Sequence, residues 1–157
     1  MRALVEELLR GANTLPSWER ELIAAFVSDR NDCRFCHASH RAAAAHHVGG
    51  NYALVDAVCE NPDTTAVSPK LRALLAIAGK VQRSGRDVTP DDIARARDEG
   101  ATDLEIHDAV LIAAAFSMFN RYVDGLATFT PQGDDAYDAM GQRMAREGYV
   151  RRDGTAS

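Results

Sequence analysis

The chain is 157 residues long, 46% hydrophobic and 26% charged, with a net charge of −5 at neutral pH. That length and composition predict one globular domain spanning residues 1–157. The acidic balance, with no basic stripe, argues against a nucleic-acid partner, because neutralising phosphates needs a cationic surface.

The opening segment MRALVEELLRGA lacks a long apolar run and carries two adjacent acids, which argues against a signal peptide or a membrane span. Gly and Pro fall between periodic segments and no clean alternating strand is visible, so the expected class is all-α, with about seven to eight helices. Arg2 to Arg10 places Leu4, Val5, Leu8 and Leu9 at helical spacing and stops at Gly11. After ANTLP a second helix is expected from about Ser17 to Ser28, apolar on nearly all sides and therefore buried. A third begins around Cys33, with Asn31 and Asp32 as candidate caps, and runs to a Gly49–Gly50 stop.

A shorter helix follows from about Asn51 to Cys59, and ENPDTTAV reads as a loop. Ser68–Pro69 opens a fifth helix with proline at its first position, where the missing donor costs nothing. Thr89–Pro90 opens a short sixth helix that closes at Gly100, and Thr102 with Glu105 forms a capping box for the seventh. That helix, about Asp103 to Gly125, is the longest and most apolar and is the expected spine of the core. After TPQG a last helix carries Tyr137, Met140 and Met144, and the polar tail RRDGTAS is expected to fray.

The chemistry concentrates in ELIAAFVSDRNDCRFCHASH, residues 21–40. Cys33 and Cys36 form a C-x-x-C, and His40 follows four residues after the second cysteine. At about 100° per residue the three fall within roughly 60° on one helical face. Sulfurs in a first turn sit where the helix dipole favours a thiolate. A thiolate attacks the terminal oxygen of a peroxide, and the sulfenic acid left behind condenses with a nearby thiol to a disulfide. His40, one turn beyond Cys36, is placed to accept a proton or to stabilise the thiolate. Three cysteines are too few and too odd a count for a secreted disulfide scaffold, so the pair points to redox work in the cytoplasm.

Other readings of these residues exist. The cysteines can serve as small buried hydrophobes. Cys33, Cys36, His37 and His40 also include zinc-ligand types, but a continuous helix separates Cys33 from His40 by roughly 10 Å of rise, too far for one ion. Glu21 lies in the apolar second helix; buried, it becomes a proton acceptor, and at the helix edge it is an ordinary surface acid. His37 borders the thiol face and is expected to be solvated. His46 and His47 lie too far along to touch the thiols, His107 has no evident partner, and nothing near Cys59 activates it.

The pattern E-L-x(10)-C-x-x-C-x-x-x-H, formed here by Glu21, Leu22, Cys33, Cys36 and His40, resembles the AhpD-like alkylhydroperoxidases of the carboxymuconolactone decarboxylase superfamily. SPKLRALLAIAGKV, the block from VTPDD to DGLA, and Tyr137 with the closing EGYV resemble its peroxidase-related subgroup, so the likeness runs from about residue 15 to 150. The resemblance implies an all-helical fold assembled into homo-oligomers, often trimers or hexamers, and a thiol peroxidase without haem, flavin or metal. It also implies that Cys36 attacks a hydroperoxide, Cys33 resolves it, Glu21 and His40 relay the proton, and a dithiol such as a lipoyl-bearing partner restores the thiols. The chain departs from the family at one position: Phe35 stands where the best-studied members carry a histidine between the cysteines, and His37 follows the second cysteine instead. The alternative to a peroxidase is a dithiol–disulfide reductase or redox sensor. Lactone decarboxylation, the chemistry of distant relatives that do not use this cysteine pair, ranks below both.

Overall fold

A computed structural model describes residues 1–64 and 67–150, so the expected fraying of RRDGTAS lies outside the described residues. Those residues form eight α-helices and two short 3-10 turns, with no strand among them. The helices are α1 (Arg2–Arg10), α2 (Ser17–Arg30), α3 (Arg34–His47), α4 (Tyr52–Glu60), α5 (Pro69–Arg83), α6 (Pro90–Asp98), α7 (Asp103–Gly125) and α8 (Asp134–Glu147). The all-α expectation holds. Within the expected ENPDTTAV loop, Pro62–Thr64 makes one 3-10 turn, and residues 65 and 66 lie outside the description. Among the described residues no helix is long and apolar enough to cross a membrane.

Local chemistry explains the boundaries. Ser68 caps α5 by accepting from the Leu71 N–H, and both Thr89–Asp92 and Thr102–Glu105 close reciprocal capping boxes at the starts of α6 and α7. Lys70 donates to Glu105 at 2.8 Å, so the cap of α7 also pins α5. After α3, Gly49 and Gly50 take φ of +72° and +83°, left-handed geometry that favours glycine, and the Gly50 N–H returns to Ala45 O.

The spine of the core is α2 rather than α7. Every residue from Glu19 to Ser28 is buried, and α2 packs against α1, α3, α4, α5 and α7. In α7 only one face is buried, through residues such as Ile112, Phe116 and Phe119, while Leu104, Leu111, Met118 and Tyr122 are exposed. Apolar content alone does not separate the two helices; which has neighbours on all sides depends on the topology.

The turn between α2 and α3 also differs from expectation. Neither Asn31 nor Asp32 caps α3, whose N-cap is Cys33 in extended conformation with no side-chain cap. Asp32 adopts φ +55°, and the Cys33 N–H bonds back to Ser28 O, reversing the chain so that α3 lies along α2. The Asn31 side chain is spent elsewhere, donating to Asn120 and Ser117 on α7 and accepting from Gln82 on α5. On its other side α3 meets α8 so closely that Gly141 rests on the Ala42–Ala43 backbone.

Candidate functional site

Helices α3, α7 and α8, with α1 and the segment after α8, enclose a pocket of about 420 Å³, within the size range of small-molecule sites. Cys36 and His40 both line it, among apolar walls that include Phe35, Phe116, Phe119 and Met140. Arg2 and Arg143 are the cationic members of the lining.

Glu21 is fully buried, which settles its position in favour of the interior over the solvent edge. A buried carboxylate is tolerated only when hydrogen bonds replace its hydration. Two do so: His40 Nδ1 lies 2.8 Å from Oε2, and the Tyr149 hydroxyl donates to Oε1 at 2.5 Å. With a carboxylate as acceptor, the network assigns the imidazole proton to Nδ1 and leaves the lone pair on Nε2. The ring is also clamped, edge-on to Phe116 with centroids 4.6 Å apart and stacked on Tyr149 at 5.9 Å. Tyr149 is itself held from α1, since Glu6 accepts its backbone N–H at 2.6 Å. Burial first, and then the neighbouring Glu21 charge, push the Tyr149 hydroxyl well above its ordinary pKa, so it serves as a donor.

Cys36 and Cys33 are both buried and both free thiols, close enough for their side chains to hydrogen-bond. They face different surroundings. Cys36 opens on the pocket, whereas Cys33 turns away and its Sγ donates to Asp124 Oδ1 at 3.3 Å. Wheel geometry misplaces Cys33 because it precedes the first helical residue. Nor does the dipole win: desolvation dominates and raises both thiols, Cys33 to about 12. For Cys36 the rise is opposed first by a hydrogen bond from the Asn120 amide, which favours its thiolate, and by the Cys33 S–H whenever that proton turns from Asp124 to Cys36.

Asn120, almost wholly buried on α7, is oriented by its neighbours. Its carbonyl oxygen accepts from Asn31 and its amide donates to Ser28, leaving the second amide hydrogen for Cys36. Sequence reasoning missed Asn120, Asp124 and the role of Tyr149. The available signal was Asn120 and Asp124, two polar residues one turn apart in the longest apolar helix.

The remaining histidines stay apart from the thiols' pocket. His37 is half-buried, its Nδ1 3.2 Å from Ala25 O and 3.9 Å from Asp29, rather than solvated. His46 pairs with Asp138 and His47 with Arg10, while His107 is exposed. Burial holds the Cys59 thiol at about 12, in keeping with an unreactive group. Among the described residues no three His, Cys, Asp or Glu side chains are grouped to hold a metal ion.

No protein-family model and no curated protein matches this chain. Solved structures do. An uncharacterized peroxidase-related protein from Silicibacter sp. TM1040 superposes with a TM-score of 0.78 at 27% identity, covering 88% of this chain and 71% of the other. An uncharacterized peroxidase-related protein from Ralstonia eutropha JMP134, described as an alkylhydroperoxidase AhpD core, gives 0.77 at 27% identity, covering 89% of this chain and 72% of the other. The chain thus has an AhpD-core-like, all-α fold, structurally similar to peroxidase-related proteins.

Proposed function

We propose that the protein is a thiol-dependent peroxidase that reduces hydroperoxides through a Cys36–Cys33 dithiol/disulfide cycle. One observation carries the reading: Cys36 opens on an apolar pocket beside a histidine whose Nδ1 is committed to a buried glutamate. Because burial raises the Cys36 thiol, a local base has to take its proton, and His40 Nε2 is the free nitrogen at the pocket wall. The Cys36 sulfur then attacks the terminal peroxide oxygen and the O–O bond breaks. Cys36 is oxidised to the sulfenic acid, and the departing alkoxide takes the proton from His40 and leaves as the alcohol. Cys33 next attacks the Cys36 sulfur, forming the disulfide and releasing water. An external dithiol, such as a lipoyl-bearing protein, returns both thiols and is itself oxidised.

With Phe35 between the cysteines, the wall there is apolar, and the Glu21–His40 pair carries the proton transfer alone. The apolar lining favours hydroperoxides with an organic tail over hydrogen peroxide. A reducing, cytoplasmic setting suits a cycle that depends on an external dithiol. Assembly into a homo-oligomer belongs to the proposal, supported by Leu104, Leu111, Met118 and Tyr122 exposed along α7.

The test is hydroperoxide consumption by the purified protein with dihydrolipoamide as reductant. Turnover of an organic hydroperoxide that disappears in Cys36→Ser is the expected result. No turnover, with the disulfide still forming under mild oxidation, overturns the peroxidase and leaves a dithiol–disulfide reductase or sensor.

A further inference from the structure

Asp124 is placed oddly for a surface acid. It occupies the last turn of α7, where the helix dipole disfavours negative charge, and that turn contains no basic residue. Although exposed, its carboxylate joins no ion pair among the described residues. The contact it makes is with a sulfur: Oδ1 accepts from Cys33 Sγ at 3.3 Å.

Cys33 has to lose its proton as it attacks an oxidised Cys36, and burial makes spontaneous ionisation unfavourable. The ionisable groups facing it are Cys36 from α3, Asp124 from α7 and Tyr137 from α8, with Arg34 the adjoining residue. Tyr137 is no acceptor at neutral pH, since burial raises its hydroxyl, which donates to Pro131 O. Arg34 is a permanent cation engaged by Gln132. His40 is committed to the pocket side of Cys36.

We infer that Asp124 is a catalytic residue, the proton acceptor for Cys33 when the Cys33 sulfur attacks an oxidised Cys36. The inference rests on the proposed dithiol cycle. As the S–S bond forms, the Cys33 proton passes to Asp124 and the group on the Cys36 sulfur departs: from the sulfenic acid a hydroxide, which takes a proton from solvent to become water, or from a mixed disulfide a thiolate. No further oxidant enters this step. When an external dithiol later reopens the disulfide, Asp124 stands ready to return the proton to Cys33.

The experiment compares disulfide closure in the full-length protein and Asp124→Asn, both in a Cys59→Ala background, by two routes. In one, a hydroperoxide oxidises Cys36 and the sulfenic acid is trapped by dimedone at timed intervals. In the other, an aromatic disulfide reagent makes a mixed disulfide on Cys36, and release of the second chromophoric thiol reports closure. Expected in Asp124→Asn is closure slowed by about 10²-fold, the lower range for losing a general base. Its rate should rise tenfold per pH unit between about pH 6 and 9, as Cys33 must then ionise to solvent, while the unsubstituted protein shows a shallower rise. Thermal stability should stay equal or increase, because a carboxylate leaves the negative end of α7. Closure within threefold of the parent with an unchanged pH profile overturns the inference. The second route separates the two readings: if peroxide leaves Cys36 unmodified, the peroxidase fails, yet Asp124-dependent closure from the mixed disulfide still upholds the role of Asp124.

Discussion

Replacing Glu21 with glutamine isolates what the buried acid does. The carboxylate accepts from His40 Nδ1 at 2.8 Å and from Tyr149 at 2.5 Å, so it fixes the imidazole tautomer with the lone pair on Nε2. A glutamine has one acceptor oxygen and an amide that donates. If the oxygen turns to Tyr149, the amide faces Nδ1 and forces the proton to Nε2, removing the base from the pocket. If the oxygen turns to His40, the amide meets the Tyr149 hydroxyl, which must rotate to accept. In either arrangement the charge that stabilised the imidazolium is gone. Loss of a general base typically costs about 10²–10⁴ in rate, or roughly 3–5 kcal/mol of barrier at 1.36 kcal/mol per decade. Stability should change little, within about 1 kcal/mol, because weaker hydrogen bonds are offset by no longer burying a charge. The assay is the rate of Cys36 sulfenic acid formation against pH, with a thermal melt alongside. Glu21→Gln should react at least a hundredfold more slowly near neutral pH and recover part of the loss at alkaline pH, where solvent removes the thiol proton. A rate within fivefold of the parent, with the same pH profile and melting point, would refute the relay.

Two further outcomes concern packing and burial. A Cβ at residue 141 would press on Ala42 Cβ and lie 2.6 Å from Ala42 C and 2.8 Å from Ala43 N, so Gly141→Ala must push α8 off α3. Overpacking of this kind costs about 1–3 kcal/mol, a fall in Tm of roughly 2–12 °C for a chain of this size, and an unchanged melt would count against so close an approach of the two helices. Cys59 is held at about 12 against an ordinary value near 9.0, so its thiol stays protonated in the fold while the unfolded chain ionises. Its contribution is complete below pH 9.0 and is lost as pH rises toward about 12, at about 1.4 kcal/mol per pH unit. Urea unfolding should therefore show the parent losing stability relative to Cys59→Ala across that window; parallel curves would mean that the thiol ionises normally.

Much of this protein is legible in the order of its residues. Helical periodicity, the proline and glycine boundaries and the Thr102–Glu105 capping box are local features, decided within a turn or two of chain, and they recover the eight helices closely. The C-x-x-C with His40, and Glu21 in an apolar helix, mark the candidate site for the same reason: residue type and spacing suffice. Tertiary structure decided the rest. Glu21 becomes a buried partner of His40 because α3 folds back along α2, a reversal made by Asp32 in a left-handed conformation that no residue pattern announced. Tyr149 reaches Glu21 from 128 positions away in the chain, and Asp124 meets Cys33 across 91. The thiols' ionisation likewise depends on surroundings and not on sequence position. Helix-start geometry favours a thiolate, but desolvation by packed neighbours outweighs the dipole, and neither burial nor the partners that oppose it can be read from spacing along one helix.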